Sequence, residues 1–157
     1  MKNVTTILAY SNKNLVEIIM QKMNVGEKQA KEMLRDTLKF LSLCARSAEP
    51  LAPPKVIDEV WHLFILSTVA YSAFCREYLG VFIHHNPAVN GVIPGLDVEL
   101  ETLHYRTLAK AQKINEELNE GPLSNNFLSG IDVFDWCCHG SSTINEDITE
   151  EVEVVST

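Results

Sequence analysis

The sequence predicts a mainly α-helical, single compact domain of about five helices, with one short extended segment and an acidic C-terminal tail. Three observations carry that expectation. Apolar residues recur at helical spacing in five successive stretches, proline and glycine fall mostly between those stretches, and neither an internal repeat nor an interdomain linker interrupts the chain. At 157 residues the chain suits one domain that buries roughly two thirds of the surface its unfolded form exposes.

The elements follow in order. Residues 1–11 contain "VTTILAY", rich in β-branched and aromatic types, and read as a short strand or extended arm. From Asn14 the pattern turns helical, with Leu15, Ile18, Ile19 and Met23 on one stripe and Gly26 as the break. A second amphipathic helix covers about 27–48, with Ala30, Met33, Leu34, Leu38, Leu41 and Cys44 on its apolar side. The prolines of "AEPLAPPKV" stop it, and Pro54 suits the first position of the next helix. That helix, about 54–67, is apolar over more than half its circumference and is expected to be the central, most buried element. Residues 68–79 continue as a helix with Gly80 as its stop, and "VFIHHNP" is short and extended. "AVNGVIPGL" reads as a loop, and a last amphipathic helix spans about 97–119, with Val98, Leu100, Leu103, Tyr105, Leu108, Ala111 and Ile114 as apolar points. Residues 127–140 carry Trp136 and a Cys-Cys-His cluster. The domain is expected to run over 1–145, with 146–157 as an acidic, flexible tail.

Composition narrows the function classes. Hydrophobic residues make up 46% and charged residues 22%, as in ordinary globular proteins. No run approaches the roughly 20 apolar residues of a membrane span, so no membrane partner is expected. The start "MKNVTTILAYSNKN" lacks a signal-peptide core, which makes a cytoplasmic location and reduced thiols at Cys44, Cys75, Cys137 and Cys138 the expectation. The net charge is -8, and Glu146, Asp147, Glu150, Glu151 and Glu153 concentrate much of it in the tail. The body has no basic stripe, so nucleic acid is not an expected ligand, whereas the acidic tail suits a protein partner.

Side chains competent for metal chemistry recur in three places. Asp58 and His62 lie four apart on one helical face, where an acid either ligates beside the histidine or fixes its tautomer. His84 and His85 are adjacent in an extended segment, so they point to opposite sides and only one is expected to turn inward, His85 in preference because the following Asn-Pro fixes the backbone nearest it. Cys137, Cys138 and His139 put three soft or borderline donors in a row, without the spaced Cys-x-x-Cys pair of common zinc sites. Cys75 fits a small buried apolar residue, and His104 is expected at the surface or in a hydrogen bond. There is no phosphate-binding glycine loop, no Gly-x-Ser-x-Gly and no His-Glu-x-x-His.

The stretch "VIDEVWHLFILSTVAYSAFCREYLGVFIHHNP", residues 56–87, resembles a segment of the glycine-rich domain-containing protein (GRDP-like) family of plants and of short bacterial and phage proteins. Asp58, Trp61, His62, Ile65, Leu66, Thr68, Tyr71, Phe74, Cys75, Gly80, His84, His85 and Pro87 carry the likeness. The resemblance implies a shared site with Trp61, Tyr71 and Cys75 as supporting residues, and it implies no particular reaction. Together these readings predict a small metal-binding protein, with zinc first or another transition metal, in a binding or regulatory role. The metal ligands are expected among His62, His85, His84, Asp58, Cys137, Cys138 and His139. Two alternatives stand beside it: a metal-dependent enzyme such as a hydrolase with Asp58 as base, and a metal-free inhibitor or adaptor that binds protein through its acidic surface.

Overall fold

Seven α-helices and one two-stranded ribbon make up the residues that the computed structural model describes, 1–87, 98–129 and 136–139. The mainly helical expectation therefore holds, with two short helices added to the five. The first, α1 (Val4–Leu8), replaces the expected strand or arm. Its Asn3 side chain accepts from the Thr6 amide at 2.8 Å, and Val4 and Ile7 bury one helical turn apart against the third helix. Capping and packing outweigh the β preference of "VTTIL".

α2 (Lys13–Met23) starts under a second asparagine cap, Asn12 to the Leu15 amide at 3.0 Å. It ends at Asn24, whose φ of 52° lies in the left-handed region, so the stop is Asn24 and not Gly26, which instead precedes α3 (Glu27–Cys44). α3 is the most enclosed helix: every residue from Asp36 to Cys44 is buried, and α1, α2, the fourth and sixth helices and the last short helix all pack on it. The central place expected for the apolar helix at 54–67 thus belongs to α3. That helix, α4 (Lys55–Leu66), buries Ile57, Val60, Trp61 and Phe64, while Leu66 is 78% exposed.

α3 takes the centre despite its polar residues because each is satisfied. Lys39 donates to Asn115 and, at 3.0 Å, to Glu120, which Arg35 also binds. Asp36 accepts from the Ser124 hydroxyl at 2.7 Å and the Asn126 amide at 2.8 Å. These contacts clasp the segment after the long C-terminal helix onto α3. The hydrogen bond from Arg35 is the main force holding the Glu120 carboxyl below the usual glutamate range, so this stabilisation is present above that range and is lost as pH falls through the lowered value.

α5 (Thr68–Phe74) runs into a π-helical turn, Cys75–Leu79, which closes at Gly80 with φ 71°. A Cβ on Gly80 would sit 3.2 Å from the Met1 backbone nitrogen, so the stop is conformational and steric at once. Strand β1 (His84–Pro87) follows and pairs antiparallel with β2 (Trp136–His139). α6 (Leu100–Glu117) buries Leu100, Leu103, His104, Thr107, Ala111 and Ile114. Tyr105, expected on the apolar face, is 55% exposed, and of the two places expected for His104, the surface or a hydrogen bond, the surface is ruled out: it is buried, because the 3.6-residue period through Leu100 and Leu103 carries position 104 inward. Burial pushes the His104 imidazole below its ordinary pKa. Finally α7 (Asn125–Leu128) seats Phe127 against α4 and α3. The expected loop at 88–96, most of 127–140 after Ser129, the domain end at 145 and the tail 146–157 lie outside the described residues.

Candidate metal centre

Asp58 lies in the first turn of α4, where the helix dipole favours a negative charge. Its carboxylate is 6% exposed and faces two imidazoles. One oxygen stands 2.9 Å from His85 Nε2 and the other 3.3 Å from His62 Nδ1. His62 lies one helical turn after Asp58, and its Nδ1 is also 2.8 Å from the Asp58 carbonyl, so that nitrogen donates to the acceptors around it. The two rings meet at 4.3 Å between centroids. His62 is 42% exposed and His85 9%, which makes the cluster a partly open edge of the core. One ligand atom from each of Asp58, His62 and His85 lies within 4.8 Å of the other two.

Residues across 27 positions meet here because β1 is anchored from beneath. Ile83 is fully buried, and its carbonyl accepts from the Tyr71 hydroxyl at 2.6 Å. That hydroxyl in turn accepts from Trp61 Nε1 at 3.0 Å. Burial drives the Tyr71 hydroxyl far above its ordinary pKa, so it remains a donor at any ordinary pH. The Trp61 ring forms a wall for His85, with centroids 4.6 Å apart. Cys75 lies in the same layer, its thiol pushed up chiefly by burial, and acts as packing beside Tyr71. Trp61 and Tyr71 thus position the site without offering it a ligand atom. Nothing in the sequence signals the role of the Ile83 carbonyl, since a backbone acceptor leaves no residue-type trace.

Of the adjacent histidines, His85 turns to Asp58, whereas His84 is exposed and packs on Phe82 at 4.8 Å between ring centroids. The alternation of a strand separates them. For Cys137, Cys138 and His139 the structure describes backbone register alone: Cys137 pairs with Asn86, Cys138 with His85 and His139 with His84. Cys75 does not join the ligand-atom cluster, which among the described residues comprises Asp58, His62 and His85.

Fold and site define a mainly helical protein with a buried carboxylate shared by two histidines at the edge of its core. The chain belongs to the UCP032817-like family, whose model matches residues 2–120. That match replaces the resemblance to the glycine-rich domain-containing (GRDP-like) family. Of the residues that carry the likeness over 56–87, Trp61, Tyr71, Phe74 and Cys75 are core positions, where packing alone selects the residue type. No curated protein and no solved structure matches the chain. Among the described residues, no helix is long and apolar enough to cross a membrane.

Proposed function

We propose that the chain is a small metal-binding protein in which Asp58, His62 and His85 hold a divalent transition ion, zinc before others, in a binding or regulatory role. The observation that carries this reading is the convergence of one carboxylate and two imidazoles within 4.8 Å. Two nitrogens and one oxygen are a borderline donor set of the kind zinc accepts. Ligand atoms about 2.0–2.1 Å from a tetrahedral ion stand roughly 3.3–3.4 Å apart. The 3.3 Å and 2.9 Å separations run to the two different oxygens of Asp58, so an ion between these groups requires the carboxylate and the rings to turn towards one point, within a cluster whose ligand atoms already lie within 4.8 Å of one another. A buried carboxylate also needs a cation or several donors to offset its lost hydration, and a bound ion meets that need. Ligation through His62 Nδ1 uses that nitrogen's lone pair, leaving the ring proton on Nε2, so metal and protons compete for the ligand atoms and binding weakens on acidification.

The reading is tested by thermal unfolding with and without added zinc chloride. An ion held only by the native state at about 100 times its dissociation constant adds roughly 2.7 kcal/mol, or on the order of 5–10 °C for a chain of this size. Wild type is expected to shift by that amount and His62→Ala by a small fraction of it; equal shifts in both would remove His62 from the site.

The partial exposure of His62 favours a second reading, a metal-dependent hydrolase with a water-accessible coordination position. In that version Asp58 serves as ligand, because both its oxygens already engage the histidines, and the base must come from elsewhere. The acidic tail as a docking element for a protein partner is a separate proposal, independent of metal.

A further inference from the structure

We infer that the polar cleft between α3 and the segment after α6 binds a small organic cation, a primary ammonium ion or short diamine, with the second carboxylate oxygen of Asp36 as its anchor. The cleft shares no residue with the metal centre, so the two sites stand or fall separately. Its volume is about 240 Å³, and Glu32 and Asp36 of α3 line it together with Ser124 and Asn126. Asp36 is 6% exposed. Its Oδ2 accepts from the Ser124 hydroxyl at 2.7 Å and the Asn126 amide at 2.8 Å, whereas its Oδ1 accepts from no described residue. A carboxylate at this depth needs donors on both oxygens or a cation beside it, and the cleft is the space from which one can come.

The charge of the ligand follows from the rest of the lining. Arg35 and Lys39 both donate to Glu120, so the cations of the cleft are already engaged and an anion gains little by entering. Three carboxylates, Glu32, Asp36 and Glu120, face two cations, Arg35 and Lys39, which leaves the cleft one negative charge. A metal ion suits it poorly, because the three carboxylates do not converge: among the described residues only Asp58, His62 and His85 bring ligand atoms to one place. An ammonium group has three N–H donors and takes its acceptors one by one, from Asp36 Oδ1 and from the Asn126 side-chain oxygen, which accepts from no described residue. Glu32 lies one helical turn before Asp36, about 5–6 Å away at Cβ, a span that a short diamine matches. Glu32, Ser124 and Asn126 also line an adjoining space of about 430 Å³, which leaves room for the alkyl chain.

The test is calorimetric titration of the full chain with 1,4-diaminobutane, n-butylamine and neutral 1,4-butanediol, at matched ionic strength and neutral pH. The diamine is expected to bind more tightly than the monoamine, and the diol not at all. Asp36→Asn keeps an oxygen acceptor and loses the charge, so both amines are expected to bind about 10–100-fold more weakly, the worth of a hydrogen bond between charged groups. Glu32→Gln changes a side chain that is 58% exposed, and is expected to weaken the diamine alone, by about 2–5-fold. No amine binding to wild type at millimolar concentration, equal binding of the diol, or unchanged affinity in Asp36→Asn overturns the site. Nuclear magnetic resonance of the unmutated chain guards against a variant that misfolds: the diamine is expected to shift the Asn126 side-chain amide and the Ser124 backbone amide. Shifts spread over surface acids, with none at Asn126, would make the amine a loose counterion of an acidic chain and overturn the assignment.

Discussion

Asp58→Ala is expected to lower the affinity of the proposed site for zinc by well over about 100-fold, because even residues that only orient a ligand are worth about 10–100-fold and Asp58 is the group on which both histidines converge. The same change strips His85 Nε2 of its 2.9 Å acceptor in a buried setting, which costs about 1–3 kcal/mol in the metal-free chain. Asp58→Asn separates the two effects. Its amide keeps the shape and one oxygen acceptor, so metal-free stability is expected to fall by less than about 1.5 kcal/mol, the worth of one ordinary hydrogen bond, while zinc binding is lost with the charge. Competition against a chromophoric chelator measures the affinities and denaturant unfolding the stabilities. Wild-type zinc affinity in the Asn variant would show that the carboxylate is no ligand.

Trp61→Ala is the second large effect. Trp61 is fully buried, meets Phe40 at 5.7 Å between ring centroids, walls His85 and donates to Tyr71. Truncating such a side chain costs about 3–5 kcal/mol, and in a chain of this length that lowers the melting temperature by on the order of 10 °C. Tyr71→Phe is the milder companion. It leaves the core volume intact but takes the donor from the Ile83 carbonyl and the acceptor from Trp61, for about 1–3 kcal/mol. If the Trp61–Tyr71–Ile83 chain positions β1, Tyr71→Phe weakens zinc binding more than its loss of stability accounts for. An unchanged zinc affinity in Tyr71→Phe would make this chain a packing device only.

These effects also show what a linear reading reveals and what it conceals. The helical spacing of Leu15, Ile18 and Ile19, or of Met33, Leu34 and Leu38, is legible because burial selects residue type directly. The extended stretch at His84 and His85, and its division into an inward and an outward histidine, follow from the two-residue period of a strand. Asp58 and His62 are legible as a pair because four residues make one helical turn. Other features depend on partners distant in sequence. The helix at Val4–Leu8 forms because Asn3 caps it and α3 receives Ile7, which β propensity does not register. Lys39 and Asp36 look like a solvated face, yet both are buried, since Glu120, Asn115, Ser124 and Asn126 come to them from more than 70 residues away. The central position of α3 over α4 follows from those remote polar contacts. His104 is concealed for a related reason: residue type suggests the surface while its position in the helical period places it inside.

The meeting of His85 with Asp58 depends on a backbone hydrogen bond at Ile83 that no residue pattern encodes. It is also where function concentrates in this account, since a carboxylate and two imidazoles brought together at a partly open edge are costly to bury and useful only to a proton or a cation.

Elemental analysis of untagged protein, purified without added chelator, tests that account most directly. One equivalent of transition metal per chain, predominantly zinc, is expected in wild type and far less than one in Asp58→Ala. Wild type folded and stable with metal far below one equivalent, and taking up none when zinc is supplied, would contradict it.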